Sequence, residues 1–599
     1  MMRRIAFGLV ACLALESLSE TLPATPEELL AKGFTIRLQV DTTDVRADEP
    51  LYEMGPVSLG LRMAGRDAKM AKFDNAQGNY LSFPLADGSC PVLEALICEK
   101  GGRIGIPLGV LECTGGVHAV ELRYAPPHWQ ISVDGRMDEE MPVKAYPVRW
   151  KGVSESRTLS PRVRSAVMSL GARLPVKPDA RPITRPIQYW TPDDHNAWVG
   201  DVTVGIWRNR FHVFYLFDRR HHWTGAGVGR HYFAHLSSGD LKNWVEHPDA
   251  VPVEEWYDSF GTGTPFVWGD KYCISYGYHS GRIAKNGEDV PRGGSYSWST
   301  DGIHFTKSRI VFCKDENPSV YNRTDGRLGM VSREPGAFYV SSDGTPNAWQ
   351  RIGSSSPTGG DCPCVFTWNG WEYLFHGFGW MAARPATGDD TPWEDWTLSG
   401  DNIYDGVCVP MVAPWKGDRR IYVGWKWSMD GWAGWLVFRE LIQYPDGKLG
   451  IRWLDEAPPP VRPHVWHVDS LDEPFVRRFD SLEGGDSLEF RIDPKRGRAQ
   501  FAVVKKDAKA EWAKTLSDCS RQKFPEDLKK DQHGPNGYMF VTCGSNYAID
   551  HIRGLDRPFD VRFVQYYDPK ARQTVFDAEI AAQRTMMFNR RGKFAVSGE

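Results

Sequence analysis

The sequence predicts an all-β protein: a five-bladed β-propeller flanked by N-terminal and C-terminal β-sandwich domains. Three observations carry this. A short pattern recurs five times between residues 190 and 439: a small or acidic residue, an apolar run, a tight turn and a second strand-like run. The segments on either side alternate apolar and polar residues with period two and show little helical periodicity. A second turn signature recurs within the repeats, in LSSGDLKNW from Leu236, WSTDGIHF from Trp298 and VSSDGTPNAW from Val340.

Residues 1–20 open with MMRR, continue in an apolar run over 5–15 and end in polar SLSE, the plan of a secretory signal peptide. The expectation is a secreted or periplasmic protein. Leu9-Val10-Ala11-Cys12 also has the form of a bacterial lipoprotein box, an alternative in which Cys12 carries a lipid anchor. No other stretch approaches the ~18 to 20 apolar residues that a membrane span needs.

Residues 30–150 contain TIRLQV, YLSFPL and HWQISVDG, period-two runs separated by turn residues, and read as a β-sandwich. Residues 151–188 are expected to be a Pro-rich linker, with four prolines within 171–188. Residues 189–460 form the propeller. Its copies begin GDVTVGIWRNRFHVFYLF at Gly200, GTPFVWGDKYCISYGY at Gly263, NPSVYNRTDGRLGMVSR at Asn317, DCPCVFTWNGWEYLFHG at Asp361 and GVCVPMVAPWKGDRRIYVGW at Gly406, roughly 44 to 63 residues apart. Each is a hairpin signal, and that spacing suits radial blades. In the second signature the Ser and Asp side chains are suited to bonding turn backbone, with the following aromatic packed between blades. A second Pro cluster, 458–460 with Pro463, closes this region. Residues 465–599 read as another β-sandwich, from SLEFRI, VRFVQYY and TVFDAEIAA, interrupted over 505–534 by a charged, helix-permissive stretch.

A net charge of −4 without a basic stripe excludes a nucleic-acid partner and a polybasic membrane patch. The 24 tryptophans lean toward carbohydrate, whose apolar CH faces pack on aromatic rings; aromatics wedged between propeller sheets account for part of them. Eleven cysteines show no paired metal-ligand spacing, since Cys362-x-Cys364 is too close for a zinc knuckle. A disulfide such as Cys90 with Cys98 is open to an exported protein. Adjacent His221 and His222 point apart on a strand, so neither a metal site nor a cofactor is expected.

A propeller gathers the starts of its innermost strands around one axis, where Asp201, Asp361 and Asp315 would meet. The residues around them resemble a known family. AWVGDVTVGIWRNRFHVFYLF followed by RHYFAHLSSGDLKNWVEHPDAVPV is similar to the opening of glycoside hydrolase family 32, the β-fructosidases of clan J, with their W-x-N-D-P-N-G and W-G-H-A-x-S-x-D-L-x-x-W motifs. FGTGTPF from Phe260 sits at the family's S-G-S turn, DCPCVFTWNGWEYLF at its E-C-P segment, and GWAGWLVFRELIQYPDGKLG from Gly431 at its W-A-G stretch. Within the first sandwich, HAVELRYAPPHWQISVDGRMDEEMP from His118 resembles laminin-G-like, concanavalin-type domains.

The resemblance implies a retaining hydrolase of a fructoside or related furanoside, acting without a cofactor on an oligo- or polysaccharide. It places Asp201 at the nucleophile, Asp361 at the acid/base, and Asp315, two residues displaced from Pro318, at the R-D-P aspartate that binds sugar hydroxyls. His195, Trp198, His231, Thr262 and Arg333 are candidate hydroxyl binders. Such chemistry needs one carboxylate at the anomeric carbon and a protonated carboxyl of raised pKa at the leaving oxygen. The chain departs from the family pattern at Gly200, Val202 and Thr203, in having Asp for the acid/base Glu, and in the interrupted R-D-P. Two rivals stand beside this reading: a family 43-like inverting glycosidase for arabinosides, xylosides or galactosides, and a non-catalytic carbohydrate-binding propeller whose strand-start aspartates cap turns.

Overall fold

The computed structural model describes residues 19–21, 24–64, 90–99, 102–108, 115–126, 128–142, 150, 155–173, 176–194, 197–218, 231–255, 257–280, 289–315, 317–332, 337–353, 355–357, 360–397, 399, 401–428, 431–460, 477–480, 486–492, 501–505, 557–591 and 594–598. The apolar run and Cys12 of the expected leader, His221, His222 and residues 506–534 lie outside them.

The N-terminal unit is a two-sheet sandwich. One sheet runs in the order Ser19–Thr21, Glu155–Thr158, Glu49–Met54, Val57–Ala64, Cys90–Glu99, Gly102–Leu108. The other runs Val163–Leu170, Phe34–Asp41, Val117–Ala125, His128–Val133, Arg136–Pro142. The period-two pattern sends Phe34, Ile36, Leu38 and Val40 inward, where they meet Leu51, Leu122 and Trp129. A helical segment, Pro26–Lys32, is capped by a reciprocal Thr25–Glu28 box and adds Leu29 to this core. The sandwich extends beyond residue 150. The strands Glu155–Thr158 and Val163–Leu170 lie in the stretch expected to be linker, and each pairs with a sandwich strand. The prolines mark only the part after 170. Cys90 and Cys98 belong to one extended strand, which separates their backbones by about 26 Å and excludes the suggested disulfide between them. The five cysteines with described side chains, Cys273, Cys313, Cys362, Cys364 and Cys408, are free thiols.

Five antiparallel meanders follow, blades 1 to 5. Their innermost strands are Trp198–Trp207, Pro265–Trp268, Ser319–Asn322, Cys364–Trp368 and Cys408–Trp415. Each inner strand touches the next, and the fifth touches the first, so the ring closes. Closure is built from backbone. Val199 bridges Gly434, Trp190 bridges Leu436, and the Tyr189 amide donates to Leu436 O at 2.9 Å. The first blade's leading segment is thereby stitched to the last blade's third strand, Gly431–Gln443.

The turn chemistry follows the residues. Arg208 and Asn209 both take positive φ (47° and 61°), as do Asn369 and Gly370 (43° and 81°), the conformation a two-residue hairpin needs to match strand twist. In the second signature, Ser238 Oγ accepts from Leu241 N and Asp240 Oδ1 from Asn243 N, while the Trp244 indole donates to Leu241 O. Ser299 and Asp301 repeat the arrangement in blade 2. Asp343 holds Thr345 N in blade 3, with the Trp349 indole on Pro346 O.

Among the described residues the C-terminal unit forms two sheets, one of Asp486–Ile492, Phe559–Asp568, Gln573–Ile580 and Arg584–Arg591, the other of Arg477–Asp480, Phe594–Gly598 and Phe501–Lys505. It is anchored to blade 5 through Arg439, which is fully buried between Asp405 (3.1 Å) and Asp577 (2.8 Å). Tyr189 also donates to Asp577, at 2.6 Å.

Candidate active site

Every blade places side chains at one end of the propeller axis. Asp201 lies on the inner strand of blade 1, at an irregularity where pairing skips from Val199 to Val202. The bulge turns the carboxylate inward. Gly200 beside it has a packing reason, because a Cβ there would stand 2.1 Å from the Trp432 ring. Asp201 accepts from the Thr262 hydroxyl of blade 2 and from the Trp425 indole of blade 5, the latter at 3.1 Å. Cys362 of blade 4 places its Sγ 3.5 Å from the same carboxylate.

Asp361 sits on the turn leading into the inner strand of blade 4. Its carboxylate accepts from the Asn317 side-chain amide of blade 3 and from the Cys362 amide at 3.0 Å. Its carbonyl accepts from Gly377 N at 2.9 Å. Cys362 takes φ of +53°, and Ser319 of blade 3 donates to Pro363 O, so the turn is fixed on several sides. The two carboxylates are thus brought together by the Cys362 residue, whose amide holds one and whose thiol lies against the other.

Burial pushes Asp201 up to about 6; the Thr262 hydroxyl opposes this and the charge of Asp361 adds to it. Burial also holds the Cys362 thiol well above its ordinary value, so it is a neutral group and no nucleophile. His376, whose ring lies within 2.7 Å of a Cβ built at Gly360, is pushed down to about 4 by burial against the pull of Asp361, and is neutral at pH 7. The donors hydrogen-bonded to the two carboxylates, Thr262, Trp425, Asn317 and Cys362, are all uncharged groups. Among the described residues no group of three His, Cys, Asp or Glu side chains is placed to hold a metal.

Residues 195–340 match the glycosyl hydrolases family 32 N-terminal domain. The match runs from blade 1 into blade 3 and includes Asp201, Thr262 and Asn317; Asp361 lies beyond it. A probable sucrose-6-phosphate hydrolase of Psychromonas ingrahamii is 26% identical over 309 residues, which are 45% of this chain and 54% of that protein. The match thus spans about half the length of this relative. Among solved structures, a β-fructofuranosidase of Schwanniomyces occidentalis is 12% identical with a TM-score of 0.42, over 69% of this chain and 94% of the other. An α-L-arabinofuranosidase of Clostridium thermocellum is 14% identical with a TM-score of 0.31, over 42% and 92%.

Against the family 32 pattern the expected residues fall into three groups. Asp201, Asp361 and Thr262 stand at the axis. Asp315 accepts from Asn317 N at 3.4 Å, across a turn, and the blade 3 side chain bonded to Asp361 is that of Asn317. Asn317 immediately precedes Pro318, as the family's aspartate precedes its proline, so the signal was present and the assumed two-residue displacement concealed it. His231 stacks on Trp432 at 4.5 Å and pairs with the buried Asp218 at 3.1 Å. Trp198 belongs to the hydrophobic core. It is 2% exposed, meets Trp435 edge-on and carries Lys570 over its ring, which makes it core rather than a hydroxyl binder. His195 and Arg333 lie outside the described residues. Trp425, Trp432, Cys362 and His376 were not anticipated; aromatic residues of a last blade carry no signature that separates pocket from core.

Proposed function

We propose that this protein is an exported glycoside hydrolase that cleaves a β-fructofuranoside or a related furanoside. The observation that supports this most is the meeting of Asp201 and Asp361, 160 residues apart in sequence, inside a closed ring whose first half matches family 32. In the retaining form, an Asp201 oxygen bonds to the anomeric carbon as the glycosidic C–O bond breaks, and Asp361 gives its proton to the departing oxygen. Water then attacks the glycosyl–aspartate ester, Asp361 takes the water's proton, and Asp201 leaves as carboxylate. Thr262 and Trp425 hold the nucleophile, and Asn317 orients the acid. The charged start and apolar run of residues 1–20 support export, with Cys12 as a lipid anchor in the alternative form.

A second reading keeps the residues and changes the outcome. Asp201 at about 6 is tuned as a general base for water, which is the role of the corresponding carboxylate in inverting enzymes. Hydrolysis of sucrose, inulin, levan and arabinofuranosides, followed by proton NMR of the first-formed anomer, tests both. Retained configuration on a fructoside supports the main reading, and inversion supports the second. Absence of turnover on the whole panel would leave a binding propeller.

A further inference from the structure

Among the described residues the three most exposed Phe and Trp side chains are Phe378 (44%), Trp380 (38%) and Trp427 (40%). Phe378 and Trp380 lie on blade 4 and Trp427 on blade 5, and ring and backbone contacts link them to the two carboxylates. Trp427 follows Trp425 by two residues on one strand, and the two rings lie 5.4 Å apart; Trp425 is the indole that donates to Asp201. Phe378 meets Trp427 at 6.1 Å. Trp380 packs against Gly360, where a Cβ would stand 2.7 Å from its ring, one residue before Asp361.

The turn that presents Phe378 and Trp380 is rigidly made. His376 N donates to Trp380 O (2.9 Å), Gly377 N to Asp361 O (2.9 Å) and Val409 N to Gly377 O (2.6 Å). Below, Asn402 donates to Gly379 O at 2.7 Å. Gly379 itself has φ of +95° and lies against the Tyr404 ring, leaving no room for a side chain. The backbone is fixed and the two aromatic faces are left in water, an expense of stability that a structural role does not explain.

We infer that Phe378, Trp380 and Trp427 form a stacking platform for sugar units beyond the one being cleaved, on the leaving-group side near Asp361. The substrate is then an oligosaccharide or polysaccharide rather than a disaccharide. The inference rests on the hydrolytic reading of the axial pocket. Rigid aromatic surfaces preorganised beside a pair of carboxylates suit the apolar faces of successive rings, and remote binding of this kind is used to lower the barrier at the reacting bond.

The test compares the parent with Phe378→Ala/Trp427→Ala, Trp380→Ala and the ring-retaining Trp427→Phe. Activity is read as the ratio of kcat/KM on a fructan oligosaccharide to that on methyl β-fructofuranoside, which has no leaving-group ring. The ratio is expected to fall at least about tenfold in the alanine variants and to recover in Trp427→Phe. Affinity for fructan and arabinan oligosaccharides is measured in parallel by calorimetry in an Asp201→Asn background, where it is expected to fall with the ratio. An unchanged ratio and unchanged affinity overturn the platform, as does an Asp201→Asn protein that binds no oligosaccharide. So does a parent dimer that the double variant dissolves, because the patch is then covered by a second copy. Turnover of methyl β-fructofuranoside by the parent reports on the hydrolytic reading separately from all of these.

Discussion

The indole of Trp425 donates to the carboxylate of Asp201 at 3.1 Å, joining the last blade of the propeller to the first at its axis. The bond exists only when the ring is closed. The site's chemistry and the fold's closure are therefore the same event, and a change in one is felt in the other.

Replacing Trp425 by Phe removes a donor to the ionised form of Asp201. A hydrogen bond to a charged group is worth ~1.5 to 3 kcal/mol, so the acidic limb of the pH–kcat/KM profile is expected to move up by about one pH unit or more. Thr262→Val is expected to act in the same direction. A profile that stays in place in both variants would show that neither donor holds the carboxylate whose ionisation the acidic limb reports.

In the parent the acidic limb is expected near pH 6, where burial has pushed Asp201. The same shift has a stability consequence. Between the ordinary value of 3.8 and about 6 the folded protein holds a proton on Asp201 that the unfolded chain has released, so stability falls as pH rises through that window. Asp201→Asn should therefore be more stable than the parent above pH 6, by about 2 to 3 kcal/mol, and equal to it below pH 4. Denaturant melts at pH 4 and pH 7.5 check this; a variant less stable than the parent at pH 7.5 contradicts it.

In the proposed mechanism Asp361→Asn removes the proton donor for the leaving oxygen. On a sugar leaving group kcat is expected to fall about 10²- to 10⁴-fold, with a much smaller loss on a fructosyl fluoride, which needs no proton to depart. Equal losses on the two substrates would place Asp361 elsewhere in the reaction.

Arg439 is fully buried between Asp405 and Asp577. Asp577→Ala leaves half of its charge uncompensated and is expected to cost ~3 to 5 kcal/mol, measured as a lowered denaturation midpoint. A cost below about 1 kcal/mol would mean that the C-terminal unit is not fastened to blade 5 through this pair.

The blades were legible because each needs hairpin residues of unusual backbone preference, such as Asn369-Gly370, and because the Ser/Asp turn signature marks the outer hairpin of blades 1 to 3. Asp201 and Asp361 were legible for the same reason: each stands just where a repeat begins. The contribution of Asn317 was hidden by an assumed insertion, and that of Trp425 by its place in the middle of an ordinary buried strand, where only ring closure reveals what it faces. Trp198 was misread because burial on one face of a strand cannot be told from a pocket by sequence. The strands Glu155–Thr158 and Val163–Leu170 were missed because short, polar edge strands lack an apolar stripe; pairing, not composition, makes them part of the sandwich.

The most direct test of the account is hydrolysis of β-fructofuranosides by the purified full chain beside its Asp201→Asn and Asp361→Asn variants, all three shown to be folded by circular dichroism. The account predicts turnover by the parent and its near-complete loss in Asp201→Asn, with a partial, leaving-group-dependent loss in Asp361→Asn. Parent-level turnover in a folded Asp201→Asn protein would contradict it.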